Sequence, residues 1–424
     1  MRGFHLKPIA AVFAIGLCLS GSVAAADLGG ECCGDLEQRV AELEAASARK
    51  GNRTVSLTVS GEIARAVLIW DDGIGSDTTI IDDAAQGESS KLGFSGEGRL
   101  SRQWMTGFVI ELGFTDASSL FVDQVNDEGP GETAFELRLA NWYIESERLG
   151  RLTVGQQSSA TDGITTIDLT RAKTDPVLWH NRSFGIRDSD GDYTGLTWGD
   201  VAWGLEGYKG DFIRYDSSVF YGFTASAAWG ENDGVDAALR FQKELDSVRI
   251  AAGAGYLWVG DDSTVSLYPS ETKIASGSIS VLHVPTGLFS NIAAGQIEMS
   301  RNALAGPANP DDGSMWMTQV GIEKRFTAYG ATTLYGEYGR YNDMLLGYAG
   351  FAGDGALPAS VAAGDIAGTE VSRWGVGAVQ QFDAASMEMY AVFNHFDAEI
   401  RTAQTGNAAT EPWYGVVLGS RLKF

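Results

Sequence analysis

Cysteine is scarce in this 424-residue chain, which carries Cys18, Cys32 and Cys33 and no others. So few thiols exclude a disulfide framework, and the adjacent Cys32 and Cys33 lack the further Cys or His ligands of a zinc site. The pair could form a vicinal or inter-subunit bridge, or stay free. Proline is sparse too, 9 residues against 54 glycines, which excludes collagen-like and Pro-rich disordered chains and favours many turns joining many strands. After the N-terminal segment no apolar run approaches about 18 residues, so no transmembrane helix is available. Basic residues are outnumbered, 31 Lys and Arg against 55 Asp and Glu, and nucleic acid is excluded as a partner because phosphate neutralisation needs clustered cations. Catalytic signatures are missing: there is no G-x-S-x-G, no Gly-Lys phosphate loop and no histidine pair at metal-ligating spacing. His180, His283 and His395 stand far apart. Asp188, Asp190 and Asp192 mimic an oxygen-ligand loop, yet the twelfth position, where an EF-hand needs Glu, is Gly199. No metal or other cofactor is expected, and a barrel-borne lipase or protease is the enzyme alternative.

The head of the chain has the three parts of an export signal. Arg2 and Lys7 precede an apolar stretch from Ile9 to Leu19, and Ala24 and Ala26 fit an A-x-A cleavage rule before Asp27. Residues 1–26 are read as a signal peptide. Its loss leaves 29 basic against 55 acidic residues, a net charge of −26. Residues 27–53 then hold a short amphipathic helix, DLEQRVAELEAASAR, with Leu36, Val40 and Leu43 on one stripe. One and a half heptads are too few for an independent coiled coil.

From Val55 the apolar period changes from 3.6 to 2, the spacing of strands. Leu92, Phe94 and Leu100 alternate with Lys91, Glu97 and Arg99. Trp104, Phe108, Ile110, Leu112 and Phe114 oppose Gln103, Gly107 and Glu111, and Phe135, Leu137, Leu139 and Tyr143 oppose Glu136, Arg138 and Ala140. Comparable segments recur to the last residue, about sixteen strands with eighteen possible. Some connections are tight, such as ERLG, and others are long and rich in Asp, Gly, Ser and Ala. One smooth end, one decorated end and alternating strands predict an all-β transmembrane antiparallel barrel over residues 54–424. A propeller would repeat at a period of about 40 to 50 residues, and a sandwich of this length would split into domains. Trp142-Tyr143 and Trp413-Tyr414 suggest interfacial girdles.

Specific stretches resemble a known family. ECCGDLEQRVAELEA followed by VSLTVSGEI looks like the head of alphaproteobacterial porins of the rhizobial type, and IRYDSSVFYGFTASAAWGE resembles a strand pair of general trimeric porins. ANWYIESERLGRLTVGQQSSATDGITTIDLT is similar to the strand, turn, strand and inward-folding loop that constricts such pores. Tyr414, Val416, Leu418, Leu422 and Phe424 resemble the alternating terminal signal read by barrel-assembly machinery. The resemblance implies sixteen strands, a homotrimer embedded in outer-membrane lipid and lipopolysaccharide, and a constriction loop near residues 158–182. The region from Ser183 to Lys209 departs from it by supplying two further strand-like pieces.

Such a protein lowers the cost of moving small hydrophilic solutes and ions across hydrocarbon, so its inward polar residues are the functional ones. By alternation these include Lys91, Glu97, Arg99, Glu111, Glu136, Arg138 and Arg214, with Asp162, Asp168 and Asp175 on the loop side. Facing charges of opposite sign create a transverse field. A substrate-specific or adhesin-like barrel is the alternative.

Overall fold

The computed structural model describes residues 55–82, 90–115, 121–127, 134–172, 182–230, 234–260, 270–300, 308–346, 366–403 and 406–424. The expected signal peptide, the helix of residues 27–53, the Cys32–Cys33 pair, Asp175 and His180 lie outside them.

Among the described residues twenty strands are formed: β1 (Thr58–Asp71), β2 (Ser76–Ile81), β3 (Lys91–Arg99), β4 (Met105–Thr115), β5 (Ala134–Ser146), β6 (Gly150–Ser158), β7 (Gly185–Arg187), β8 (Tyr193–Thr197), β9 (Lys209–Asp216), β10 (Phe223–Gly230), β11 (Val235–Leu245), β12 (Val248–Val259), β13 (Thr272–His283), β14 (Leu288–Met299), β15 (Asp312–Lys324), β16 (Thr332–Asn342), β17 (Ile366–Phe382), β18 (Met387–Thr402), β19 (Gly406–Ala409) and β20 (Trp413–Lys423). All but β7 and β8 build one antiparallel wall. β2 and β3 both pair with β1, and β19 and β20 both pair with β18, so each couple is one interrupted course. The wall therefore has sixteen courses, and β1 against β20 closes it, from Glu62 opposite Lys423 to Asp71 opposite Tyr414. Closure leaves no open edge, the condition for strands to span hydrocarbon. Where β1 meets the gap between β2 and β3, Ser90 fills in, its hydroxyl taking the Ala64 N–H at 3.0 Å.

β7 and β8 are the two extra strand-like pieces of the sequence. They form a two-stranded sheet of their own, and with the described residues 159–172 and 182–208 they turn inside the barrel. The described inward residues thus continue past the expected 158–182 to 208, because an apolar return limb follows the outgoing one.

That limb changes the inner face. Alternation predicts a polar lumen, yet Leu68, Trp70, Phe396, Trp413 and Val417 point inward and are buried with Phe184, Ile186, Leu196, Trp198, Val201 and Leu205 of the segment. Phe184 lies 5.1 Å from Trp70 and 5.5 Å from Trp413, and Trp198 lies 5.8 Å from Phe396, ring centre to ring centre. Each large side chain so buried contributes about 1.5–3 kcal/mol. A hydrophobic core therefore sits inside the barrel. Trp413 consequently faces inward while Tyr414 faces out, so only one ring of the Trp413-Tyr414 couple serves the outer surface. The same holds for Trp142-Tyr143: a register shift between Glu111 and Leu112 places Tyr143 on the inner face beside Gly107.

Inward rings elsewhere lie flat against the wall. Tyr143 covers Gly107, Phe212 covers Gly230, Phe289 covers Gly321, Tyr335 covers Gly377 and Tyr390 covers Gly419, each glycine being the ring's direct cross-strand partner. A Cβ at any of these glycines would collide with the ring. The missing side chain lets an aromatic residue face the lumen without filling it.

Candidate constriction site

The inward segment begins where β6 ends, and three wall side chains hold its root. Asp236 of β11, only 2% exposed, accepts the Ala160 N–H at 3.0 Å, the Thr161 N–H at 2.6 Å and the Thr161 hydroxyl at 2.6 Å. Arg240, four residues along the same inward face, donates to the Ala160 carbonyl at 2.8 Å and the Asp162 carbonyl at 2.9 Å. Arg214 of β9 donates to the Ser158 and Ser159 carbonyls and is itself held by Asp216 at 2.7 Å. The backbone leaves the wall with its polar groups taken, as burial requires.

The outgoing limb then follows the inner wall across β12 and β13. Ser278 donates to the Ile164 carbonyl at 2.6 Å, and the Leu169 N–H reaches Ser280 at 3.0 Å. At the last turn of its described course the Arg171 N–H and guanidinium both bind Glu323 of β15, at 2.8 and 3.3 Å. Glu323 sits one residue from the short-turn end of its strand, so the limb runs along the inner wall toward that end.

The return limb opens with the β7–β8 hairpin, pinned to the wall by backbone bonds between Ser189 and Ala409 and between Glu411 and Arg187. Asp72, in the turn after β1, accepts from Gly75 and Ile74 and from Arg187 at 2.9 Å. Burial pushes the Asp72 carboxyl up, and these donors more than reverse that, leaving it below the usual carboxylate range. A four-residue helix, α1 (Trp198–Val201), follows, with Asp200 taking the Thr197 N–H and hydroxyl at 2.7 and 2.9 Å. Glu206 closes the circuit by accepting the Thr165 hydroxyl at 2.8 Å. Burial and the neighbouring Asp162 raise Glu206 to about 7, against the opposing pull of Thr165 and Lys209.

The residues singled out by alternation divide into pairs and singles. Lys91 pairs with Glu62 at 3.2 Å, Glu111 with Arg138 at 2.9 Å, and Asp162 with Lys209 at 3.4 Å. Asp168 turns back on its own limb, accepting the Thr170 N–H and hydroxyl. Glu97 and Arg99 are exposed at the short-turn end of β3, and Glu136 is exposed on β5. Arg214 braces the root and Asp175 is not described. On β20, Tyr414, Val416, Leu418 and Leu422 share the outer face with Phe424, whose backbone exchanges two hydrogen bonds with Gly61. Asp188 of the apparent oxygen-ligand loop instead accepts the Asp190 and Asp192 N–H groups, bracing the hairpin turn. Sequence reasoning missed Glu62, Asp236, Arg240 and Glu206. For Asp236 and Arg240 a signal existed, since both share one parity of β11.

The wall adds further ion pairs at the same level. Lys423 reaches Glu62 at 3.7 Å, and Arg421 reaches Glu388 at 2.6 Å. From β18 through β20, β1, β3 and β4 to β5 the inner face thus carries Glu388, Arg421, Lys423, Glu62, Lys91, Glu111 and Arg138 in near-alternating sign. Charges of alternating sign in such a band set up a local field across the inner face.

A family model described as Gram-negative porin matches residues 10–401. No curated protein sequence matches the chain. Among solved structures, an anion-selective porin from Comamonas acidovorans is similar at a TM-score of 0.54 and 13% identity, over 87% of this chain and 100% of its own. The in-vitro folded, trimer form of OmpT, an outer membrane protein of Vibrio cholerae, is similar at 0.52 and 12%, over 88% and 100%. The outer membrane channel DcaP of Acinetobacter baumannii is similar at 0.51 and 10%, over 89% and 100%. At such identities the likeness concerns the fold.

Proposed function

The chain belongs to the Gram-negative porin family, and on that premise we propose that it is a general diffusion porin whose selectivity is set between the inward segment and the β3–β5 wall. As a family member it is an integral outer-membrane channel for the passive passage of small hydrophilic solutes and ions. The observation that carries the finer reading is the charged limb running through a closed barrel opposite a wall of ion pairs. Asp162 and Asp168 supply the negative side and Lys91 and Arg138 the positive one, with Glu97, Arg99, Glu111, Glu136, Asp175 and Arg214 tuning the field along the path.

The chain assembles as a homotrimer of the alphaproteobacterial, rhizobial type. Support comes from the stretches ECCGDLEQRVAELEA and IRYDSSVFYGFTASAAWGE, and from a structural neighbour recorded as a trimer. Residues 1–26 direct export, and the alternating face that includes Tyr414, Val416, Leu418 and Leu422 engages the assembly machinery.

Planar-bilayer recording of the purified protein under a salt gradient tests the reading. Stepwise insertions that close in threes support a trimeric pore, and the reversal potential reports which sign dominates the constriction. A heat-modifiable, folded barrel that carries no current would refute it.

A further inference from the structure

The two limbs of the inward segment rest on a track of inner-wall residues with little or no side chain. Gly253 and Gly255 of β12 lie under the outgoing limb, and Gly295 of β14 lies under Leu205 of the return limb. A Cβ at Gly255 would stand 2.5 Å from the Thr161 Cγ2 methyl, and one at Gly253 would stand 2.6 and 2.7 Å from the Cδ1 atoms of Ile167 and Ile164. Carbon atoms pack at about 3.5–4.0 Å, so either methyl forces its neighbour away by about 1 Å. From these contacts we infer that Gly255, with Gly253, sets the bore of the pore by fixing how close the outgoing limb lies to the wall. The inference rests on the porin reading and assigns size selection to two glycines on the wall rather than to a charged residue of the lumen.

The two positions differ in stiffness. Thr161 is β-branched, and its N–H and hydroxyl are both held by Asp236, so its methyl cannot swing aside. A methyl at Gly255 therefore moves the limb itself. At Gly253 the obstructing atoms are the ends of isoleucine side chains, and a rotamer change at Ile167 relieves part of the clash. Displacement in either case is away from β12 and into the lumen, because the wall behind is continuous. The limb's other face, where Asp162, Asp168 and Arg171 keep partial exposure, then advances on the open path.

The test compares single-channel conductance, and exclusion of graded polyethylene glycols, in wild type, Gly255→Ala, Gly253→Ala and the rescue Gly255→Ala/Thr161→Ser. The serine deletes the offending methyl and keeps the hydroxyl bound to Asp236. Gly336→Ala serves as a control, since its Cβ would face outward with its nearest atom 3.8 Å away. All variants are first shown to give the folded, heat-modifiable band. A roughly 1.5-fold fall in conductance and a smaller polymer cut-off are expected for Gly255→Ala, with a lesser fall for Gly253→Ala. The double variant recovers wild-type values. Wild-type conductance in Gly255→Ala, a rise, or a double variant as low as the single one would overturn the inference. Should Gly255→Ala fail to fold, Gly253→Ala and the rescued double variant decide on their own readings. A wild type that carries no current refutes the porin reading instead, so the two failures are distinct.

Discussion

Replacing Asp236 with alanine strips the root of the inward segment of one carboxylate that takes three hydrogen bonds. Bonds to a charged acceptor are worth about 1.5–3 kcal/mol each, and a buried donor left alone costs about 1–3 kcal/mol. These terms overlap and do not add. Breaking a buried charged contact by removing one side costs about 3–5 kcal/mol, which is the figure adopted for local opening of the root. Since about 1.4 kcal/mol is tenfold, amides of residues 160–165 should exchange roughly 100-fold to 3,000-fold faster in Asp236→Ala. Asp236→Asn keeps one acceptor oxygen and should fall between. Hydrogen exchange read by mass spectrometry on the detergent-folded protein measures this, with peptides from β13–β16 as the internal reference. Exchange in residues 160–165 that stays within about twofold of wild type would refute the clamp.

Trp198→Ala removes a fully buried ring from the core inside the barrel and should lower stability by about 3–5 kcal/mol, seen as a lower temperature for loss of the heat-modifiable band. Glu206 is raised above its unfolded value, so its contribution is fully present below the unfolded pKa and is lost as pH rises through about 7. Protection around residues 203–208, taken relative to intrinsic exchange at each pH, should fall between pH 6 and pH 8 in wild type and not in Glu206→Gln; the same pH dependence of protection in both proteins would contradict it. Asp72 is depressed, so its contribution is present above the unfolded value and disappears as pH falls through the folded one. Asp72→Asn should therefore lower thermal stability at pH 7, with the difference from wild type vanishing in acid. Arg138→Gln leaves Glu111 unopposed on the wall, and the reversal potential should move toward cation preference.

The barrel was legible because period-2 alternation and unequal connections survive in the bare sequence, as in β4, where Phe108, Ile110, Leu112 and Phe114 all face out. Less legible was anything fixed by contacts distant along the chain. In β1 both faces are apolar, since Leu68 and Trp70 meet the inward core while Ile63 and Ile69 meet the membrane. Alternation cannot show which side is lumen when both are covered. The β7–β8 hairpin reads as two strands because its local pattern is that of a strand, and that pattern does not show that the two pair with each other instead of taking a course in the wall. Pairing of Lys91 with Glu62, or of Arg171 with Glu323, depends on register and loop path, which no local spacing encodes. The flat rings left a faint trace as the unusual number of glycines, but pairing each with its aromatic partner needed the register.

The position of Phe184 bears on the order of assembly. Its ring touches Trp70 on the first course and Trp413 on the last, and so spans the seam at which the barrel closes. The nest for that ring exists only when the two ends of the chain's wall have met, so a contact with very large separation along the chain precedes the docking of the central limb. Loop-closure entropy must be met before the core rewards it, so docking of the central limb is expected to follow seam closure. The burial of Phe184, Trp198 and Leu205 thus depends on a wall whose two ends have already met.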